Sequence, residues 1–231
     1  MSNAYSGTDN LEVMAEAVNY NRFLVELAGS QIRRSEKILD FGAGIGTFAK
    51  QFRDRGVEVV CVEPDCAQRE ILQREGFSVA ADLGGVEDES IDYIYSLNVL
   101  EHIEDDVAEV KALFKKLKPG GHVFFYVPAM AVLYSSMDEK VGHVRRYSLS
   151  GLRALVEASG FTLTTARYAD SLGVFATLLY KLLGGDGGEI NRSALIVYDR
   201  IAFPLSRLLD FCVSRWFGKN VYAIAEKRAG W

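Results

Sequence analysis

The sequence predicts an α/β fold built on a mostly parallel sheet. Three observations carry this. Strand-like and helix-like segments alternate through the first two thirds of the chain, with strands recurring every ~20–30 residues, as in stacked βαβ units. An apolar strand runs through glycines into a helix at Lys37-Ile-Leu-Asp-Phe-Gly-Ala-Gly-Ile-Gly-Thr-Phe48. Two further strand patterns, 161–168 and 220–226, stand outside the alternation. Together they make a sheet of seven strands between two layers of helices, a three-layer αβα, Rossmann-like arrangement.

The elements follow in order. Leu11, Met14, Ala15, Val18, Phe23 and Leu27 fall close to one stripe, so 11–29 is one or two helices leading into the fold and stopping at Gly29. After the first strand (38–41), 47–55 is a helix ended by Gly56, 57–62 a strand, and 66–75 a helix capped by Gly76. Residues 77–81 form a short strand running into Asp82, 91–96 a strand, and 104–117 a helix. Lys118-Pro-Gly-Gly121 breaks that helix before the strand 122–127, which Pro128 closes. The irregular connection 129–147 is long for a compact domain, and such length often marks function. Ser148 caps a helix over 149–159, ended by Gly160, and the strand 161–168 follows.

Composition bounds the rest. The chain has 231 residues, 49% apolar and 25% charged, an ordinary globular balance that argues against disorder. A net charge of −5 gives no general reason to expect nucleic acid, and the partner expected is a small-molecule or lipid- or glycan-linked acceptor. Three cysteines without a Cys-x-x-Cys pair suggest reduced thiols, with Cys61 as core. The polar start, Met1 to Asn10, lacks the basic and apolar regions of an export signal, so a cytoplasmic location is expected. No run reaches the ~18 uninterrupted apolar residues of a membrane span. No linker divides the chain. It reads as one domain over 1–231, with a core at 35–168, a helical insert at 171–219 and a last strand at 220–227.

Gly42, Gly44 and Gly46 let a ligand approach the backbone closely, and the first N–H groups of the following helix point at it unpaired. NAD enzymes, FAD enzymes and methyltransferases all use such a turn. Here Thr47 stands where the dinucleotide fingerprint takes its third glycine or alanine. This, with the two final strands, counts against a dinucleotide-dependent oxidoreductase, which stays as an alternative. So does a non-catalytic cofactor-binding or scaffold protein that joins a partner through its apolar insert.

Five segments occur in a telling order: Leu39-Asp-Phe-Gly-Ala-Gly-Ile-Gly46, Cys61-Val-Glu-Pro-Asp65, Ala81-Asp82, Ser96-Leu-Asn-Val-Leu-Glu-His-Ile103 and Leu117-Lys-Pro-Gly-Gly-His122. Together they resemble the class I S-adenosylmethionine-dependent methyltransferases over about residues 35–168 plus the last strand. The resemblance implies strand order 3-2-1-4-5-7-6 with the last strand antiparallel, and S-adenosyl-L-methionine as cofactor with S-adenosyl-L-homocysteine as product. It implies cofactor contacts from Asp40, Gly42, Ala43, Gly44, Gly46, Glu63, Pro64, Asp82, Leu83 and Asn98. Glu63 ends the second strand, where a carboxylate can accept two hydrogen bonds from a ribose diol. Asp82 can accept from an adenine amino group or be a solvated loop acid. Asp40 lies beneath the turn, where the family's acid sits near the methionine ammonium. Asn98 offers that ammonium a backbone carbonyl or fixes the local turn.

Methyl transfer to oxygen needs the acceptor proton removed, and histidine is the usual base near neutral pH. Of the three histidines, His122 opens a strand and reads as structural. His102 either lines the site or caps the next helix. Asp138-Glu-Lys-Val-Gly-His-Val-Arg-Arg-Tyr-Ser148 resembles a loop of methyltransferases that accompany polysaccharide or lipid glycosylation genes. His143 is then a candidate base or positioning residue, and Asp138, Arg145, Arg146 and Tyr147 are candidate substrate contacts. Paired arginines suit a phosphate or carboxylate, or salt bridges to the acidic loops. A metal site is not expected, since no His/Asp/Glu set shows ligand spacing.

Between the last two strands, where the family has a short hairpin, about 50 residues intervene. Residues 171–184 are strongly apolar, 184–188 are a glycine-rich break, and 193–217 are amphipathic. In the last, Val197, Tyr198, Ile201, Leu205, Leu208, Leu209, Cys212 and Trp216 cluster opposite Asp199, Arg200, Arg207, Asp210 and Arg215, and Pro204 kinks the element or starts a second helix. The apolar stripe either packs on the domain or another subunit, or covers a lipid-linked acceptor. Peripheral membrane contact and a homodimer through 171–219 are both open at this point.

Overall fold

A computed structural model describes residues 13–32, 36–182 and 191–230. The polar start at 1–10, Leu11 of the first stripe and the glycine run at 184–188 lie outside them.

Seven strands form one sheet: β1 (Lys37–Phe41), β2 (Glu58–Val62), β3 (Ser78–Ala80), β4 (Ile91–Leu97), β5 (Leu117–Pro128), β6 (Thr162–Ala169) and β7 (Asn220–Glu226). Their order is β3-β2-β1-β4-β5-β7-β6, with β7 antiparallel to both neighbours and the other pairs parallel, as expected. Alternate residues feed two cores. Val123, Phe125 and Val127 of β5 join one, with Leu39 and Ile94. Phe124 and Tyr126 join the other, with Ile38, Tyr93 and Cys61. Both faces of the central strands are buried, so they read as continuous apolar runs.

Helices α1 (Val18–Gly29), α2 (Thr47–Arg53), α3 (Cys66–Arg74), α4 (Asp106–Lys116), α5 (Ser136–Lys140), α6 (Leu149–Ala158), α7 (Ser171–Leu182), α8 (Arg192–Val197) and α9 (Phe203–Val213) flank the sheet. Local caps explain several starts. The side chains of Asp65, Asp105 and Ser148 accept from Gln68, Ala108 and Gly151 at the heads of α3, α4 and α6.

Two local expectations change. Strand β5 begins at Leu117 rather than at His122. Leu117 pairs with Ile91 and His122 with Tyr93, so Lys118-Pro-Gly-Gly121 is an irregularity within the strand that also ends α4. The connection 129–147 is not irregular throughout, because it contains α5, headed by a reciprocal capping box between Ser135 and Asp138.

The insert attaches through two acids and the buried Phe203. Asp199 accepts from the backbone N–H groups of Asn19 (3.0 Å) and Tyr20 (2.8 Å), capping α1 from across the chain. Asp210 does the same for α7, accepting from Asp170 (2.8 Å) and Ser171 (2.9 Å). Neither helix has a side-chain cap of its own at these N–H groups, so each acid satisfies donors that burial would otherwise orphan. Pro204 lies in the first turn of α9 and has no N–H for the Arg200 carbonyl; a π-helical turn, Tyr198–Ala202, precedes α9. Most of the apolar stripe of 197–216 therefore faces outward. Among the described residues no helix is long and apolar enough to cross a membrane.

Replacing Asp199 with alanine strips two partly buried N–H groups of their acceptor. It is expected to lower stability by about 1–3 kcal/mol. Urea denaturation of the variant beside the wild type measures this, and an unchanged midpoint would show that α1 does not depend on the insert.

Candidate active site

Strand β1 lies between β2 and β4, and all three run parallel. The connections from β1 to β2 and from β3 to β4 leave this point in opposite directions, which opens a crevice beyond the strand ends. A cavity of 710 Å³ occupies it, within the range of small-molecule sites. Gly42, Gly44, Glu63, Pro64 and Asn98 line it from the sheet, with His102 and His143 from the loops beyond β4 and α5.

The glycine turn is shaped by two demands at once. Gly42 has φ +81, and a Cβ there would fall inside the Val99 side chain. No other residue meets both conditions. Glu63 ties this turn to β2. One of its oxygens accepts from Gly44 N–H (2.8 Å) and the other from Asp65 N–H (2.9 Å). Burial raises the Glu63 carboxyl and these two bonds oppose the rise. A carboxylate accepts about four hydrogen bonds, so it retains capacity on its cavity side.

Asp40 lies beneath the turn, 3% exposed, with Oδ2 unpartnered. Burial pushes its carboxyl up to about 7, against the opposing Tyr95 hydroxyl. Asn98 follows β4 at φ +56, a conformation asparagine tolerates, with its N–H on the Tyr126 carbonyl (2.8 Å). Ala43 is buried in the core. Asp82 and Leu83 stand off the cavity lining. The Asp82 side chain caps a short turn by accepting from Gly84 N–H (2.8 Å), and Leu83 packs in the core.

The loop residues divide into two groups. His143 faces the cavity. Its Nδ1 lies 2.7 Å from Asp138 Oδ1 and its Nε2 3.8 Å from Glu101 Oε1. Asp138 sits behind it, 1% exposed. Burial would raise the Asp138 carboxyl, but bonds from His143 and Arg146 outweigh this and hold it well below the usual range. Arg146 spends its guanidinium on both Asp138 oxygens (2.8 and 3.0 Å) and on the Ala129 carbonyl. Arg145 pairs with Asp106 (2.7 Å), whose carboxylate also accepts from the Tyr147 hydroxyl (2.7 Å). Arg145, Arg146 and Tyr147 thus fasten the loop to α4 and β5, away from the cavity lining. Both adjacent arginines form salt bridges, Arg145 with Asp106 and Arg146 with Asp138.

Glu101, His102 and His143 present ligand atoms within 4.8 Å of one another, a grouping able to hold a divalent cation. Burial lowers His102 to about 4, with His143 adding to the drop, and raises the buried Glu101 to about 8. Local spacing does not reveal this group, because His143 lies 41 residues beyond His102. Tyr20 of α1 also lines the cavity beside Asn98 and Tyr126, with its hydroxyl pushed up by burial. The sequence stripe of α1 shows only an apolar face. Asn220 reaches the same edge because β7 is antiparallel, so its first residue lies beside Pro128 at the end of β5.

Asp40 yields a pH-dependence. Its folded value of about 7 exceeds the ordinary 3.8, so the folded state holds a proton that the unfolded state releases between them. This contribution is fully present below 3.8 and is lost as pH rises to about 7. It amounts to at most about 4 kcal/mol. Asp40→Asn is expected to flatten that segment of the stability–pH curve, read from urea midpoints at several pH values.

Known proteins share this fold. A family model described as a methyltransferase domain matches residues 14–166. The ubiquinone biosynthesis O-methyltransferase of Pseudomonas fluorescens is 32% identical over 118 residues, covering 47% of this chain and 48% of that protein. The chain spans about half the length of the curated relatives it matches. Among solved structures, an S-adenosylmethionine-dependent methyltransferase of Thermotoga maritima, described as a possible histamine N-methyltransferase, is 18% identical. It superposes at a TM-score of 0.63 over 97% of this chain and 98% of its own. Phosphoethanolamine N-methyltransferase 2 of Haemonchus contortus, in complex with S-adenosyl-L-methionine, is 19% identical at a TM-score of 0.60, over 91% of this chain and 53% of its own. The chain belongs to the methyltransferase domain family and has the class I fold of its S-adenosylmethionine-dependent members.

Proposed function

We propose that this protein transfers a methyl group from S-adenosyl-L-methionine to an oxygen of a small acceptor, of the glycosylated or lipid-linked kind. The observation that carries the reading is that His143, backed by a buried carboxylate, faces the same cavity as the glycine turn and Glu63. The quinone O-methyltransferase name of the Pseudomonas fluorescens relative supports an oxygen acceptor.

The residues present suit the cofactor. Asp40 Oδ2 and Gln68 Nε2 are buried without hydrogen-bond partners next to the turn or in the cavity wall. Glu63 would take the ribose diol, the Gly42–Gly44 backbone the methionine portion, and Asp40 with the Asn98 carbonyl the ammonium. Bound there, the cofactor supplies an electrophilic methyl on a sulfonium. The chain's work is then to hold the acceptor oxygen in line and to take its proton. His143 Nε2 would take the proton that the acceptor oxygen gives up on methylation. Asp138 fixes the ring through Nδ1 and stabilises the imidazolium, and positioning supplies most of the remaining acceleration. Tyr20 and the two histidines wall the acceptor side.

Calorimetry should detect S-adenosylhomocysteine binding and no NAD binding; NAD alone would favour the oxidoreductase. Glu63→Ala should weaken S-adenosylhomocysteine about tenfold or more, the worth of a charge-assisted hydrogen bond. With an acceptor found in a panel of quinols, phenols and glycolipids, His143→Ala should lower kcat about 10²–10⁴-fold and leave cofactor affinity nearly unchanged. Normal turnover with collapsed cofactor affinity would remove His143 from the chemistry.

A further inference from the structure

The late helices turn Asp199, Asp210 and Phe203 inward and leave most of their apolar stripe outward. Val197, Ile201, Leu205, Leu208, Phe211 and Trp216 are all exposed, Phe211 by 93% and Trp216 by 70%. Val197 to Phe211 recur at three- and four-residue steps along α8, the π-helical turn and α9, and Trp216 follows just beyond α9. Helix α7 packs beside α9 and extends the surface. Its Phe175 meets Phe217 edge-on, ring centroids 6.3 Å apart, and exposed Leu179 follows one turn later. A contiguous apolar surface of this kind marks an interaction site.

Charge says which kind. The described residues of 171–219 hold six bases and two acids. Both acids, Asp199 and Asp210, point inward onto backbone N–H groups. Arg192 pairs with Glu16, and Arg207 lies over the Phe23 ring. Arg200 and Arg215 stay exposed, next to Ile201 and Trp216 at the two ends of the stripe. In a chain of net charge −5, the outward charges of these described residues are basic only. Asp186 and Glu189 of the intervening linker lie outside the described residues. An apolar helical stripe flanked by arginines, with a tryptophan at its edge, matches an anionic lipid surface. A twofold pairing of two copies would instead bring these bases toward one another without acids to answer them.

We propose that the outer face of α7, α8 and α9 docks this protein on an anionic lipid bilayer. Tyr198 and Asp199 line the cavity from the inner side of the element whose outer side carries Val197 and Ile201. Docking therefore sets one wall of the cavity against the membrane, where an acceptor with a lipid tail would arrive. The docking itself does not rest on the methyl-transfer reading.

Flotation of the full chain with phosphatidylcholine vesicles, with and without phosphatidylglycerol, tests this without methyl donor or acceptor. The wild type should float with the anionic vesicles, less so at raised salt, and not with the neutral ones. Phe211→Asp and the double variant Arg200→Glu, Arg215→Glu should each reduce the floated fraction about tenfold or more. Both should keep the wild-type thermal midpoint, because these side chains lie outside the packed fold. Failure of the wild type to float with either vesicle, or undiminished floating of both variants, would overturn the proposal. Sedimentation equilibrium supplies the competing outcome: a dimer that Phe211→Asp disperses, with no vesicle binding, assigns the face to a second copy. None of these results bears on cofactor binding, so the methyl-transfer reading stands or falls separately.

Discussion

Everything at the cavity depends on one constraint, the reversal of strand order around β1. With β2 on one side and β4 on the other, all parallel, the chain cannot cover the ends of these strands with its own connections. Backbone N–H groups and strand-end carboxylates are left facing an opening. Glu63 turns this into a fixed shape by bonding both the glycine turn after β1 and the head of α3. The position of Glu63 is thus set by two backbone segments before any ligand arrives, which is the preorganisation a binding site requires.

The opposite wall is held by a second buried carboxylate. Asp138 accepts from Arg146, from Ser135 and from the imidazole of His143, so the loop that carries the histidine cannot drift. Arg145 and Tyr147 anchor the same loop to Asp106. A stretch without regular pattern thereby acquires a rigid geometry from a few charge-assisted bonds. The arginines contribute to the site through the position of His143 rather than through contact with the cavity.

The strands and their alternation with helices were legible from local signals, apolar runs and glycines at turns, while their order came from the resemblance carried by the ordered motifs along 35–168. The glycine turn, Glu63 and Asn98 were legible for the same reason. Tyr20, the Glu101–His102–His143 grouping and the fate of Arg145 and Arg146 were not, since each depends on residues distant in sequence meeting in space. The orientation of the insert was hidden for a subtler cause. Periodicity reveals that a helix has two faces, but which face turns inward is decided by partners elsewhere, here backbone N–H groups at the starts of α1 and α7 and the core that receives Phe203. Asp199 and Asp210 satisfy four partly buried donors.

The same attachment separates two properties that are joined in most helices. The residues that hold the insert in place are its two acids and the buried Phe203, and the residues that meet the surroundings are most of its apolar stripe. Outer positions such as Leu208 or Phe211 can therefore be exchanged without loosening the fold. This makes the surface a module whose adhesiveness can be retuned by design while Tyr198 and Asp199, on the inner side of the same element, keep their place in the cavity wall.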